Sequence, residues 1–475
     1  MRRATGLPAD AERPVMRGTT AALLARYDRP GPRYTSYPTA VEFHDGMSAD
    51  DYEARLAAAD GLNDAPLSLY MHLPFCEQRC LFCGCHVIVT RRREVAAPYL
   101  DLLKREIALV AARLPHRRSF AQLHLGGGTP TYYTPSQLMD LVSHTLRHFH
   151  ALPGAELALE ADPRVTSVGH IDALADLGFN RISFGVQDLT PVVQHAINRV
   201  QTLEQTAALV EHARRRGFRG INVDLIYGLP HQTPESFERT VDAVIGLGAD
   251  RAAVYSFAFV PWMRGHQKKI EEAQLPSAET KVALFAIARE RFLAAGYEPI
   301  GMDHFARPDD ELARARRAGR LQRNFQGYAV MAGDDVIGFG ISAIGDVRGA
   351  YVQNEKKLSA YEESIGAGRL PVTRGVARST DDNIRREVIH ALMCNFQLDM
   401  AAVERRHSLC FREYFAEDLR LLAELEREGL ARIHGSCIEA TSIGELFIRD
   451  LAMCFDRYQR ERHATETRPV FSRTV

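Results

Sequence analysis

With 475 residues, 46% of them hydrophobic and 25% charged, the chain has the composition of a folded globular protein, which excludes collagen-like and disordered classes. Lysine plus arginine (59) nearly balance aspartate plus glutamate (60), so no overall field favours nucleic acid or an anionic membrane. The length fits about three domain-sized pieces, or one large catalytic barrel with appendages. No apolar run approaches the roughly 18 residues of a membrane span, and MRRATGLPADAERP at the N-terminus holds no signal-type apolar stretch. A cytoplasmic protein with no membrane span and no nucleic-acid partner is expected.

Residues 1–65 hold a polar start and then GPRYTSYPTAVEF, rich in turn formers and tyrosine, which reads as an extended arm. From about residue 67 to 300, six β-rich runs follow: LSLYMHL at 67, AQLHL at 121, ELALEAD at 156, RISFGVQ at 181, INVDLIYG at 221 and RAAVYSFAF at 251. Helix-period segments such as APYLDLLKREIALVAARL separate them, so the pattern predicts consecutive βαβ units. The expected fold is α/β: a partial (β/α)6 parallel, TIM-like barrel over residues 66–370. A doubly wound open sheet produces the same alternation. Glu160, Gln187 and Asp224 fall at or near the C-terminal ends of these strands, where barrel enzymes place their chemistry.

After the barrel the pattern turns helical over 371–475 and ends in strand, polar turn, strand and helix, a small winged-helix-like module. Such a module raises the possibility of nucleic-acid binding, which the balanced charge does not support.

Four of the eight cysteines crowd into CEQRCLFCGC at 76–85, which argues for reduced thiolates binding metal rather than a disulfide framework. Cys76, Cys80 and Cys83 are spaced C-x3-C-x2-C on the loop after the first strand, so three soft ligands can converge from one short segment. Zinc held by these three and Cys85 is the alternative; structural zinc sites usually pair two separated cysteine knuckles. Cys85 is not assigned as a ligand. After the second strand, the glycine run Gly126–Gly128 lets backbone groups approach a ligand closely. Glu160 and Asp224 are acids within apolar strands and each needs a partner.

The cysteine loop, with Phe82 before its third cysteine, resembles the cluster signature of radical S-adenosylmethionine enzymes. PRYTSYPTA at 32, YMHLPFC at 70, GMDHFARPDDELA at 301, NFQGY at 324, GFGISAIG at 338, MCNF at 393 and FSRTV at the C-terminus extend the likeness. Together they resemble the oxygen-independent coproporphyrinogen III oxidase family over nearly the whole chain from about residue 25.

The resemblance implies a 4Fe-4S cluster with Cys76, Cys80 and Cys83 as ligands and one open iron, and two S-adenosylmethionine molecules per active site. The first would meet Tyr70, Gly127, Glu160, Ala258 and Ile344; the second would meet Phe82, Gly128, Thr129, Gln187, Arg199 and Asp224. Tyr70, Glu160 and Asp224 are the implied catalytic residues. The implied reaction, through a 5'-deoxyadenosyl radical, turns two propionates of coproporphyrinogen III into vinyl groups, giving protoporphyrinogen IX in haem biosynthesis. An unidentified reductase or flavodoxin-like electron donor, an unidentified acceptor and a monomeric state complete the expectation. A haem chaperone or haem-modifying enzyme of the same superfamily is the alternative. Arginines should clamp the substrate carboxylates, with Arg33 and Arg307 as candidates, and the arm and C-terminal module are expected to close the barrel opening.

Overall fold

The computed structural model describes residues 22–24, 26–62, 65–330, 333, 335–463 and 470–474. The first part of the expected arm, residues 1–21, and the last residue of FSRTV lie outside the described residues. Among the described residues no helix is long and apolar enough to cross a membrane.

All six expected strands form: β1 (Leu67–Leu73), β2 (Ser119–Gly127), β3 (His150–Ala161), β4 (Arg181–Gln187), β5 (Gly220–Tyr227) and β6 (Arg251–Ser256). They pair in sequence order, each parallel to the next. An order that never reverses is singly wound, unlike the doubly wound sheet, whose order turns back at a switch point. Six further strands follow: β7 (Glu298–Ile300), β8 (His304–Ala306), β9 (Asp335–Phe339), β10 (Ile344–Val347), β11 (Ala350–Asn354) and β12 (Val372–Ala377). The sheet runs β12-β11-β10-β9-β1-β2-β3-β4-β5-β6-β8-β7 and its two edge strands do not pair, so the barrel is partial.

Sequence reading missed β9, a seventh parallel strand that pairs with β1 across more than 260 residues of chain, Leu67 opposite Asp335 and Met71 opposite Phe339. Two buried acids fix it there. Asp335 pairs with the fully buried Arg117, which also donates to the carbonyls of Ala59, Ala65 and Pro66. Glu106, in the helix that follows β1, accepts from Gly340 N–H just beyond β9, from Asn354 Nδ2 at the end of β11 and from Tyr361 Oη in the helix after it.

Helix α1 (Ala49–Asp60) precedes the sheet; α2 (Ala97–Ala112), α3 (Pro135–His148), α4 (Val168–Asp176), α5 (Leu203–Arg215) and α6 (Pro234–Gly246) connect its parallel strands. Thr134 and Gln137, Thr202 and Gln205, and Thr233 and Ser236 form reciprocal capping boxes at the starts of α3, α5 and α6. These satisfy orphan N–H groups where the chain leaves a strand-end loop for a helix. The apolar faces of α2 and α3 bury Leu103, Ile107, Leu138 and Leu141 in the main core against Leu69, Leu123 and Leu159 of the sheet.

The C-terminal part is helix (Thr380–Asn395), short strand (397–399), helix (Met400–His407), helix (Ala416–Arg427) and hairpin (431–434 with 437–440), the short strand pairing with the hairpin. That is the topology of a winged-helix module. Its core takes in the arm residues Leu23, Leu24, Tyr27, Tyr34 and Tyr37. The buried Arg449 clamps both chain ends, donating to the carbonyls of Gly31 and Pro32 and of Arg473 and Thr474.

Burial pushes the Glu106 carboxyl up to about 7, against the lowering effect of its three donors. The folded state therefore holds a proton that the unfolded chain releases from about pH 4.5 upward, so this group's contribution to stability is lost as pH rises towards 7. Urea unfolding should show Glu106→Gln gaining on the wild type by up to about 3 kcal/mol between pH 4.5 and pH 8; a pH-independent difference would contradict the shift.

Candidate active site

The site is built where β1 and β2 end. Gly127 has φ +106°, and a Cβ there would lie 2.4 Å from the His72 ring; a Cβ on Gly128 would lie 2.5 Å from the Pro74 backbone. Only glycine allows this approach, which lets Gly128 N–H donate to Leu73 O (2.8 Å) and Thr129 N–H to Phe75 O (3.0 Å). The glycine run is thereby laid along the segment that leads into the cysteine loop. Thr129 Oγ1 sits 3.3 Å from Cys76 Sγ. The loop is pinned from the other side by Leu81 N–H to Ile197 O, Asn198 Nδ2 to Arg79 O, Gln267 Nε2 to Phe82 O and His266 Nε2 against Cys83 O.

A cavity of about 650 Å³ opens here, lined by Cys76, Cys80, Phe82, Cys83 and Cys85 on one side. Gly127, Gly128, Thr129, Glu160, Gln187, Arg199 and Asp224 line the rest with Asp162, Arg164, Ser183 and Tyr255. The structure thus gathers eight of the eleven expected cofactor-binding residues and all three expected metal ligands around one space. Ala258 lies beyond it, its carbonyl accepting from Gln267 Nε2. Tyr70 stands behind the wall, its hydroxyl 3.1 Å from His72 Nδ1 and its ring stacked on His124. Ile344 lines a different cavity. No lining residue of the 650 Å³ cavity comes from the arm or the C-terminal module; these segments meet the barrel further out, at Thr35 and Arg386, and Arg33 lies over the lining residue Tyr255.

The donor chemistry fits an iron-sulfur cluster. All eight cysteines are free, and among the described residues no three Cys, His, Asp or Glu side chains converge on a single-ion position. Three thiols spread around a cavity suit a polynuclear cluster, which keeps its ligands further apart than one zinc ion does. Burial pushes the Cys76 thiol up to about 12, and a metal beside it would favour the thiolate. Cys80 receives Arg164 Nη2 at 3.4 Å and Arg199 Nη1 at 3.5 Å. Both arginines also hold Asp162, whose carboxyl burial would push up but which Arg199 and Arg164 keep down at about 2. Asp162 and Arg164 escaped sequence reading, although they lie just past the strand end in EADPR.

The polar wall opposite the cysteines fits an ordered ligand. Gln187 takes φ +70°, and its buried Oε1 has no partner, nor has Arg199 Nε. A non-glycine residue in that backbone region with an orphaned acceptor marks a functional position. Glu160 Oε2 accepts from Gly127 N–H at 3.1 Å, and His124 Nε2 lies 3.5 Å from its other oxygen. Burial alone would raise this carboxyl, yet His124, the Gly127 N–H and His72 together hold it below the usual range. Asp224 behaves oppositely. Burial and the Glu160 charge push it up to about 6 despite bonds from Ser183 and Asn222. Two acids on one wall thus have opposed protonation tendencies.

Two smaller cavities continue the first. One of about 130 Å³ shares Glu160, Ser183, Asp224 and Tyr255 with it and adds His124 and His304. It shares Asn324 and Gln326 with another of about 220 Å³, lined also by Thr35, Arg323, Ile344 and Arg386. Of the arginines expected to clamp substrate, Arg33 pairs with Asp303 at 2.9 Å and lies over the Tyr255 ring. Arg307 is exposed, beside Ala249 and Tyr297 at the N-terminal end of β6, away from all three cavities.

Residues 70–244 match the Radical SAM superfamily model, and residues 379–447 match the HemN C-terminal domain. Oxygen-independent coproporphyrinogen III oxidase of Salmonella typhimurium is 46% identical over 456 residues, 96% of this chain and 98% of that protein. The proteins of the same name from Escherichia coli and Pseudomonas aeruginosa are each 45% identical, over 96% and 92% of this chain and 98% and 95% of their own lengths. The solved structure described as coproporphyrinogen III oxidase (HemN) from Escherichia coli, a radical SAM enzyme, superposes with a TM-score of 0.87 at 44% identity, covering 92% of this chain and 98% of that one. With that likeness running through barrel and C-terminal module alike, the chain belongs to the oxygen-independent coproporphyrinogen III oxidase family of the radical SAM superfamily.

Proposed function

We propose that this enzyme oxidatively decarboxylates two propionates of coproporphyrinogen III to vinyl groups without oxygen, giving protoporphyrinogen IX in haem biosynthesis. The observation that carries the reading is the opening of Cys76, Cys80 and Cys83 into one cavity with Glu160, Gln187, Arg199 and Asp224. Held by Cys76, Cys80 and Cys83, a 4Fe-4S cluster with S-adenosylmethionine would supply the radical chemistry for hydrogen abstraction at a propionate.

Each residue then has a physical task. Cys76, Cys80 and Cys83 hold the cluster, and Arg164 and Arg199 offset negative charge at Cys80. Gly127 and Gly128 bring backbone polar groups against the bound cofactor. Glu160, kept ionised, suits a ribose hydroxyl or a cationic ammonium or sulfonium group. Gln187 Oε1 and Arg199 Nε offer an unused acceptor and donor to a second cofactor molecule, which Phe82 and Thr129 flank. Tyr70 acts from behind by fixing His72, and Ala258 and Ile344 extend the first cofactor's contacts outward. Residues 1–65, 66–370 and 371–475 make up arm, barrel and C-terminal module of a monomeric cytoplasmic enzyme, fed by a reductase or flavodoxin-like donor and drained by a separate acceptor.

Protein reconstituted anaerobically with iron, sulfide, reductant and S-adenosylmethionine should remove two carboxyl groups stepwise from coproporphyrinogen III and form deoxyadenosine. Cys80→Ala should abolish both products in the chromatogram. Cofactor cleavage with an unchanged tetrapyrrole would shift the reading to a haem chaperone or haem-modifying relative.

Two binding measurements probe the cavity wall. Gly127→Ala, forced against the His72 ring, should weaken S-adenosylmethionine binding roughly tenfold or more in equilibrium dialysis. Because Asp224 ionises only above about pH 6, cofactor affinity should fall as pH drops below that value, by up to about tenfold per unit. Asp224→Asn should flatten that profile, and an unaltered profile would remove Asp224 from the cofactor contacts.

A further inference from the structure

In the 220 Å³ cavity stands an arginine that no acid pairs with directly among the described residues. Arg323 is 5% exposed, and its Nε and Nη1 are buried without a hydrogen-bond partner. Its guanidinium lies 4.5 Å from the centre of the Tyr328 ring, which fixes its plane but supplies no acceptor. The acid whose charge reaches it, Asp303, is already engaged by Arg33 at 2.9 Å and His304 at 2.7 Å.

The rest of the cavity is also rich in donors. Asn324 Nδ2 is buried without a partner, while its Oδ1 accepts from Gln326 N–H at 2.9 Å. Arg386 Nε donates to Tyr351 Oη. Asp346, the one acid lining this cavity among the described residues, is shared between Arg378 at 2.6 Å and Arg386 at 3.4 Å. One turn along the helix from Arg386, His390 Nε2 is likewise buried and unpartnered. A buried guanidinium with unmade bonds, among neighbours short of acceptors, is a site for an anion.

We propose that Arg323, with the Nδ2 amide of Asn324, holds a carboxylate of a propionate that the tetrapyrrole keeps through the reaction, and so sets the orientation of the macrocycle. This rests on the coproporphyrinogen reading above. Its position supports it: the cavity shares Asn324 and Gln326 with the 130 Å³ cavity, which in turn shares Glu160 and Asp224 with the cysteine-lined one. The charge argument selects a retained propionate. A guanidinium stabilises a carboxylate but not the neutral carbon dioxide it would become, so it would raise the barrier for any propionate that leaves.

The test is binding of coproporphyrin III, the oxidised and unreactive macrocycle, to the reconstituted holoenzyme by fluorescence, with S-adenosylmethionine binding followed in parallel. Arg323→Gln should weaken porphyrin binding on the order of 10- to 100-fold, with partial recovery in Arg323→Lys. Asn324→Asp keeps the acceptor for Gln326 N–H yet replaces the free donor with a negative oxygen, and should weaken binding without disturbing the fold. Mesoporphyrin IX, carrying only the two retained propionates, should lose affinity by a similar factor. Unchanged coproporphyrin binding in both variants overturns the subsite, as does an effect on coproporphyrin that mesoporphyrin does not share. Weakened S-adenosylmethionine binding with porphyrin binding intact would overturn it in favour of the cofactor's own carboxylate. Failure of the wild type to bind coproporphyrin at all would overturn the substrate reading itself.

Discussion

Two backbone hydrogen bonds, from Gly128 N–H to Leu73 O and from Thr129 N–H to Phe75 O, set the distance between the cysteine loop and the wall that faces it. They continue the β1–β2 ladder beyond the strands proper, and they form only because no side chain intervenes at 127 and 128. Cys76 then falls beside Thr129, and Gly127 N–H reaches Glu160 on the next strand. The cysteine loop and the wall that faces it are therefore built on the C-terminal ends of neighbouring strands rather than on two loops brought together by chance.

Around those strand ends the electrostatics divide by depth. Next to the cysteines, Arg164 and Arg199 share the single Asp162, so one positive charge is left to face Cys80. Across the barrel interior the acids take over, with Glu160 held ionised and Asp224 lifted towards neutrality. At the far cavity the sign turns positive again around Arg323 and Arg386. A cationic cofactor and a polyanionic substrate would meet complementary fields at different points of one run of cavities.

The parallel strands were legible because each is a short β-rich run bounded by turn residues and followed by a capped helix. The strand at 335–339 was not. DVIGF carries no alternation, and its place beside β1 depends on Arg117 and Glu106, contacts across more than 200 residues that no local pattern encodes. Site residues on strand ends and in the cysteine and glycine loops were legible for the same reason: position along a strand decides which end of the barrel a side chain occupies. The surroundings of the candidate arginines were not. Arg307 sits in a conspicuous motif yet lies outside, whereas Arg323, one residue before NFQGY, is buried; burial and the absence of an acceptor are tertiary facts.

Arg449 binds carbonyls from residues 31 and 32 and from residues 473 and 474, so the beginning and end of the described chain share one socket. Synthesis proceeds from the N-terminus, so Arg449 and residues 473 and 474 are made after every strand of the barrel. The arm therefore waits, unlatched, while the cysteine loop, the glycine run and every strand of the barrel are made. The clasp at Arg449 therefore follows the barrel in order of synthesis, and a nascent chain has its cysteine loop before it has its clasp.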